Sequence, residues 1–165
     1  MQSAKDTFYV ALRDRLAALN PARTVFLDGA LRPAVIVVEN QPVTPTPPLP
    51  DAFYVAWGAV RAVEAAARAP RPLLALDAAI SWRTRGSEEA SGVDRGRRLA
   101  ELDAELLQIA SRPETAKLDY TQSPPVDLGS RVMWLRPTLG EPQQTGSELR
   151  RLAKTTLYFF PEVDL

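Results

Sequence analysis

Between Leu74 and Trp82 the apolar residues Leu74, Leu76, Ala78, Ile80 and Trp82 recur at every second position, with Asp77 and Ser81 between them. From Asp94 onward the period is different: Leu99, Leu102, Leu106 and Ile109 lie three or four apart with charges between them. The first spacing is that of a strand buried on one face, and the second that of a surface helix with one stripe turned inward. A polar bend, Thr84 to Gly92, joins the two. A chain that carries both patterns in succession must lay a helix stripe against a sheet face, which predicts the α+β class.

The rest of the chain supplies more of each kind. Phe8, Leu12, Leu16 and Leu19 repeat at helical spacing, with Ser3 and Asp6 in the positions of a capping box ahead of them and Asn20-Pro21 as the stop. Arg13, Asp14 and Arg15 fall on other sides of this helix and read as a solvated face. Thr24 to Leu27 and Ala34 to Val38 have strand composition, and with the turn signal Asp28-Gly29 they suggest a hairpin. Pro33 fits there only at a strand start or an edge. Gln41 to Pro50 holds five prolines and predicts a stiff internal connector, neither helix nor regular strand. Phe53 to about Val63 alternates as a strand that would pair with Leu73 to Thr84, with Gly58 marking a bulge or a close backbone approach. The Ala-rich Ala59 to Arg68 is open between strand and helix. Arg112 to Ser130 and Thr138 to Glu148 read as polar loops, Val132 to Leu135 as a short strand, and Leu149 to Phe160 as a strand with an apolar end on both faces, hence interior to the sheet or covered by a partner. The expectation is a single domain over 1–165. It would be a mixed or antiparallel sheet of about five to six strands, with the N-terminal helix and one further amphipathic helix packed on it.

Composition excludes several chemistries. The sequence has no Cys and no His, which removes disulfides, thiolate nucleophiles, Cys-based zinc sites and any Ser/His/Asp arrangement. With 20 basic and 20 acidic residues, no global field draws the chain to nucleic acid or to an anionic membrane. The strongest apolar run, Ala34 to Val38, is far below the ~18 residues that span a bilayer. The polar start predicts assembly in the cytoplasm. No P-loop, dinucleotide fingerprint or serine nucleophile elbow occurs. Asp77, Asp94, Glu101, Asp103 and Glu105 are the carboxylates that could do acid/base or magnesium work, but Glu101 and Glu105 beside Arg97 and Arg98 read as solvent ion pairs. No catalytic, cofactor or metal residue is assigned.

Of the 20 basic residues 17 are Arg, and they gather near element ends. Arg83 and Arg85 form one group, Arg95, Arg97 and Arg98 a second, and Arg150, Arg151 and Lys154 a third. A guanidinium grips phosphate or carboxylate through two parallel hydrogen bonds, so these groups allow contact with DNA or with a protein partner. Aromatics do not interleave with them as stacking platforms would, and DNA contact without sequence specificity is all they support.

The order of helix, hairpin with Gly29 to Glu39, aromatic strand ending in Trp57-Gly58, strand Ile80 to Gly86, helix with Asp94-Arg95-Gly96, and final apolar strand resembles the tail terminator and tail-completion proteins of long-tailed bacteriophages and phage-like injection machines. The resemblance covers roughly Thr7 to Phe160, apart from the Pro-rich Gln41 to Pro50. It implies a structural subunit of a virion or injection particle. Such a subunit assembles with copies of itself, commonly as a hexameric ring, on the end of the tail tube and offers a docking face to neck proteins. It further implies no enzyme and no cofactor. A ring closes through unlike patches on one subunit. Arg83, Arg85, Arg95, Arg97, Arg98, Arg150, Arg151 and Phe160 are the residues placed at such contacts, with the bend Thr84 to Asp94 as a loop at a subunit edge. The alternatives are a small nucleic-acid adaptor that uses the arginines, or a small enzyme that uses the carboxylates.

Overall fold

The computed structural model describes residues 1–41, 48–63 and 71–161. Most of the Pro-rich connector, and the residues 64–68 that the sequence left open between strand and helix, lie outside the described residues.

Helix α1 spans Gln2–Leu19 and buries Ala4, Thr7, Phe8, Leu12 and Leu16, a stripe of one side. It starts a residue before the predicted cap and has no side-chain cap: Ser3 lies within the helix, and Asp6 instead accepts a hydrogen bond from Gln2 Nε2 at 2.8 Å. The strands β1 (Thr24–Leu27) and β2 (Ala30–Pro33) form a two-residue hairpin around Asp28 and Gly29, whose φ values of 50° and 77° suit the tight turn. The predicted partner, Ala34 to Val38, is not in this hairpin. A two-residue turn requires pairing to resume at Ala30, so Val35–Val37 is free to become β3 and pairs in parallel with Phe53–Val55 of β4 (Phe53–Ala62).

The main sheet runs β3-β4-β5-β10-β7-β6, with two short strands also on β10. Strand β5 (Leu74–Thr84) pairs antiparallel with β4, with a bulge between Trp57 and Val60 where Gly58 predicted one. Helix α2 spans Arg95–Ile109 and buries Leu99, Leu102, Leu106 and Ile109, the four residues whose spacing announced it. Strand β10 (Glu148–Phe159) is interior as expected, paired along its length with β5.

Two segments read as loops are sheet. Glu114–Asp119 (β6) and Val126–Trp134 (β7) form an antiparallel hairpin, and Thr138–Leu139 (β8) and Gln143–Thr145 (β9) each pair with β10. Polar side chains concealed these strands, because what stabilises them is backbone pairing with neighbours that are apolar only on one face. The α+β class with an N-terminal and one further helix agrees with the sequence reading; among the described residues the main sheet has eight strands where about five to six were expected.

Both helices lie on one face of this sheet. Phe8 of α1 sits edge-on to Trp134 and Trp57, with ring centroids 5.1 and 6.1 Å away, and Trp82 packs edge-on to Phe53 at 5.8 Å. Arg15, expected on a solvated face, instead donates to the carbonyls of Ile109 and Arg112 at 2.9 and 2.8 Å, tying α1 to the end of α2. The free edge of β6 is closed by α1: the Leu118 backbone N–H donates to Thr7 Oγ1 at 3.0 Å. Covering an edge in this way removes a template for unwanted pairing.

Candidate functional site

Strand alternation decides what faces outward. In β5 the even positions Leu76, Ala78, Ile80 and Trp82 are buried under the helices, so Asp77, Ala79, Ser81 and Arg83 point to the other side. Register then assigns the neighbours on that side: Arg150 lies opposite Arg83, Leu152 opposite Ser81, Lys154 opposite Ala79 and Thr156 opposite Asp77. Tyr54 of β4 faces Ser81, and Met133 of β7 faces Tyr158. Among the described residues no helix covers this outer face. Its middle is floored by the small residues Ala56 and Ala79, which leave a hollow of about 550 Å3, and a second hollow of about 430 Å3 opens at the Arg83 end.

The structure brings the first and third arginine groups together and leaves the second apart. Arg83 and Arg150 are direct cross-strand neighbours, a like-charge pair that would repel if unbalanced. Glu148 balances Arg83, together with Arg85. Its Oε2 takes a hydrogen bond from Arg83 Nη1 and its Oε1 one from Arg85 Nε at 2.7 Å. Arg83 also donates to the Pro48 carbonyl, and Arg150 Nε donates to Gln143 Oε1 at 3.1 Å. Burial pushes the Glu148 carboxyl up, but the Arg85 hydrogen bond and the Arg83 charge together outweigh it and hold the group below the usual carboxylate range. Arg151 stands opposite Trp82 and turns toward α2, where its Nε is 3.4 Å from Asp103 Oδ1; the Trp82 indole donates to the same oxygen at 3.1 Å. Burial raises Asp103, with Arg151 and Trp82 opposing it.

The second group stays with α2. Arg98 pairs with Glu101 at 3.3 Å, Arg97 is exposed, and Arg95 packs into the bend. That bend is braced internally: Asp94 Oδ1 accepts from the Ser87 backbone N–H at 2.8 Å, and Gly86 N–H donates to Thr84 Oγ1 at 3.1 Å. Gly86 has φ +77°, and a Cβ there would come within 2.6 Å of Asp94 Oδ1, so the position takes only glycine. Phe160 is at the opposite end of β10 from the arginines and is half exposed; its carbonyl accepts from Lys117 Nζ at 2.7 Å.

The carboxylates do not converge. Asp77 is on the outer face, paired with Arg61 at 2.7 Å and bonded to Thr156, and these two donors depress its pKa. Glu101 is exposed on α2, across the sheet. Glu105, expected in a solvent ion pair beside Arg97 and Arg98, is instead held by Arg23 and Asn20 in a shielded contact at 2.9 and 2.7 Å. No group of three or more Asp and Glu residues close enough to hold a metal ion occurs among the described residues. No helix among them is long and apolar enough to cross a membrane. Glu148, Gln143 and Tyr54 complete the Arg83 hollow, and sequence reasoning missed all three, because only the β5–β10 register brings them to the arginines.

No family model matches the chain, and no curated protein matches it. Among solved structures, one chain whose designation states no activity is similar over 99% of this chain and 97% of its own, with 16% identity and a TM-score of 0.46. A chain from the virion of a native gene transfer agent (GTA) particle is similar over 93% of this chain and 94% of its own, with 17% identity and a TM-score of 0.38. Likenesses of this strength leave the function to be argued from the chain's own surfaces.

Proposed function

We propose that the chain is a structural subunit of a phage-like particle, and more narrowly a tail terminator that assembles as a ring on the end of a tail tube and presents a face to neck proteins. The observation that carries this reading is the outer face of the main sheet, which no helix covers among the described residues. Its positions include the exposed Met133, Leu135, Leu152 and Arg150 and the half-buried Tyr158, among them the Met, Tyr and Arg that interfaces concentrate, around two hollows. The polar Asp77, Ser81, Lys154 and Thr156 share this face, so it is the exposed apolar side chains among them that a partner would cover. The role proposed is mechanical: the helices and inner core hold the sheet rigid, and the outer face and its rims make the contacts. In this reading the protein is not an enzyme and needs no cofactor.

Light scattering and electron microscopy of the purified protein test it. Closed rings of several copies, and shortened tubes when the protein is added to polymerising tail-tube subunits, are the expected result. A strict monomer at all concentrations that leaves tube length unchanged overturns it.

A further inference from the structure

The hollow at the Arg83 end of the outer face is an electrostatically unfinished site. Arg83 and Arg150 line it together with one carboxylate, Glu148, which Arg85 also engages, so positive charge exceeds negative there; Arg151, at its edge, is balanced by Asp103. Glu148 has both oxygens engaged by Arg83 and Arg85. The Nε atom of Arg83 is buried and has no hydrogen-bond partner among the described residues. Buried guanidinium donors without acceptors are costly, and a carboxylate is the acceptor whose geometry matches them.

The chain carries a matching acid of its own. After Phe160 the sequence continues Pro161-Glu162-Val163-Asp164-Leu165, where Glu162 and Asp164 alternate and, in an extended segment, would point to one side. This segment does not reach the hollow of its own subunit. Strands rise ~3.3 Å per residue, so the nine steps of β10 from Arg150 to Phe159 separate the hollow from that strand end by about 30 Å. The five residues beyond Phe160 span at most ~17 Å. A second copy placed head to tail has no such limit.

We propose that the hollow at Arg83 and Arg150 receives the acidic segment 161–165 of a second copy of this chain. The proposal rests on the ring reading above, and it supplies the two unlike patches that such a ring requires: an acidic segment at one end of β10 and a basic hollow at the other. Charge complementarity of this kind sets partner orientation and register.

Two measurements test it. A fluorescein-labelled peptide with the sequence of residues 159–165 is titrated by anisotropy into the chain lacking 161–165. Binding that weakens about tenfold or more with Arg150→Glu, and that falls with added salt, is expected. The full-length chain is then compared by light scattering with Glu162→Gln/Asp164→Asn, which removes the charges without removing the segment and so covers the case in which the truncated chain does not fold. The substituted chain is expected to lose subunits. Peptide binding indifferent to Arg150→Glu overturns the proposal. So does a short double-stranded DNA that displaces the peptide and binds more tightly, which would assign the hollow to phosphate. If the full-length chain forms rings that survive the substitution, this contact is wrong and the ring reading stands. If the full-length chain is monomeric while the peptide still binds at Arg150, the ring reading falls and the hollow's preference for the acidic segment stands.

Discussion

Replacing Glu148 with Gln keeps the shape of the side chain and removes the charge that separates three arginines. Arg83 and Glu148 are both largely shielded, with side-chain exposures of 13% and 16%. A hydrogen bond to a charged group in such a place contributes about 1.5–3 kcal/mol. Arg85 is 56% exposed, and its share is discounted to a few tenths of a kcal/mol for solvent screening. The exposed like-charge neighbour Arg150, directly across from Arg83, adds up to about 1 kcal/mol once the carboxylate is gone. Glu148→Gln is therefore expected to cost about 2–4 kcal/mol at pH 7, a fall of ~5–15 °C in Tm for a domain of this size. The sign with pH follows from the depressed carboxyl. Its folded pKa lies below the unfolded value of ~4.3, so the stabilisation is complete above that value and is lost as pH falls through the folded pKa. Melting followed by circular dichroism should show wild type and variant far apart at pH 7 and converging below about pH 4. A gap under ~0.5 kcal/mol at pH 7, or a gap that does not change with pH, refutes the reasoning. Strict additivity with Arg83→Met would refute it as well, since coupled residues do not add.

Three further outcomes are expected. Gly86→Ala places a Cβ at positive φ against Asp94 Oδ1 and should cost about 1–3 kcal/mol in urea unfolding, with the bend rather than the core loosened in hydrogen exchange. Phe8→Ala empties the space between Trp57 and Trp134 and should cost about 3–5 kcal/mol, with a change in tryptophan fluorescence that a surface substitution on α1 would not give. Thr7→Val leaves the Leu118 N–H without its acceptor, costing about 1–3 kcal/mol; faster exchange of that amide and new concentration-dependent association through the β6 edge are the readouts.

What the sequence disclosed and what it hid divide along a physical line. Strand β5, both helices and the interior position of β10 were legible because burial imposes a period on their side chains, and the bulge at Gly58 because a missing Cβ leaves a mark. The hairpin of β6 and β7 was hidden. Lys117 occupies a buried position in Glu114–Asp119, so the alternation that would have announced the strand is broken by a charge. Pro124 and Pro125 between the two strands read as loop for the same local reason. The two- and three-residue strands β8 and β9 are too short to carry any period; they exist because β10 offers backbone partners. At the surface, the arginine groups were visible as composition, but the convergence of Arg83 with Arg150, and the Glu148 that Arg83 shares with Arg85, are facts of register between strands more than 60 residues apart in sequence, which no local pattern encodes.

The position of β10 has a consequence for how the molecule comes into being. It is the last strand in chain order and sits between β5 and β7 in the main sheet. Until it is made, the sheet exists as two pieces, β3-β4-β5 and β7-β6, each with an open edge toward the gap. Such edges recruit strands from other molecules, so a ribosome-bound or C-terminally shortened chain is the form most exposed to wrong pairing. Completion of the subunit is then a late and largely all-or-none event. The outer face is likewise incomplete until β10 is in place, since Arg150, Leu152, Lys154 and Thr156 belong to it.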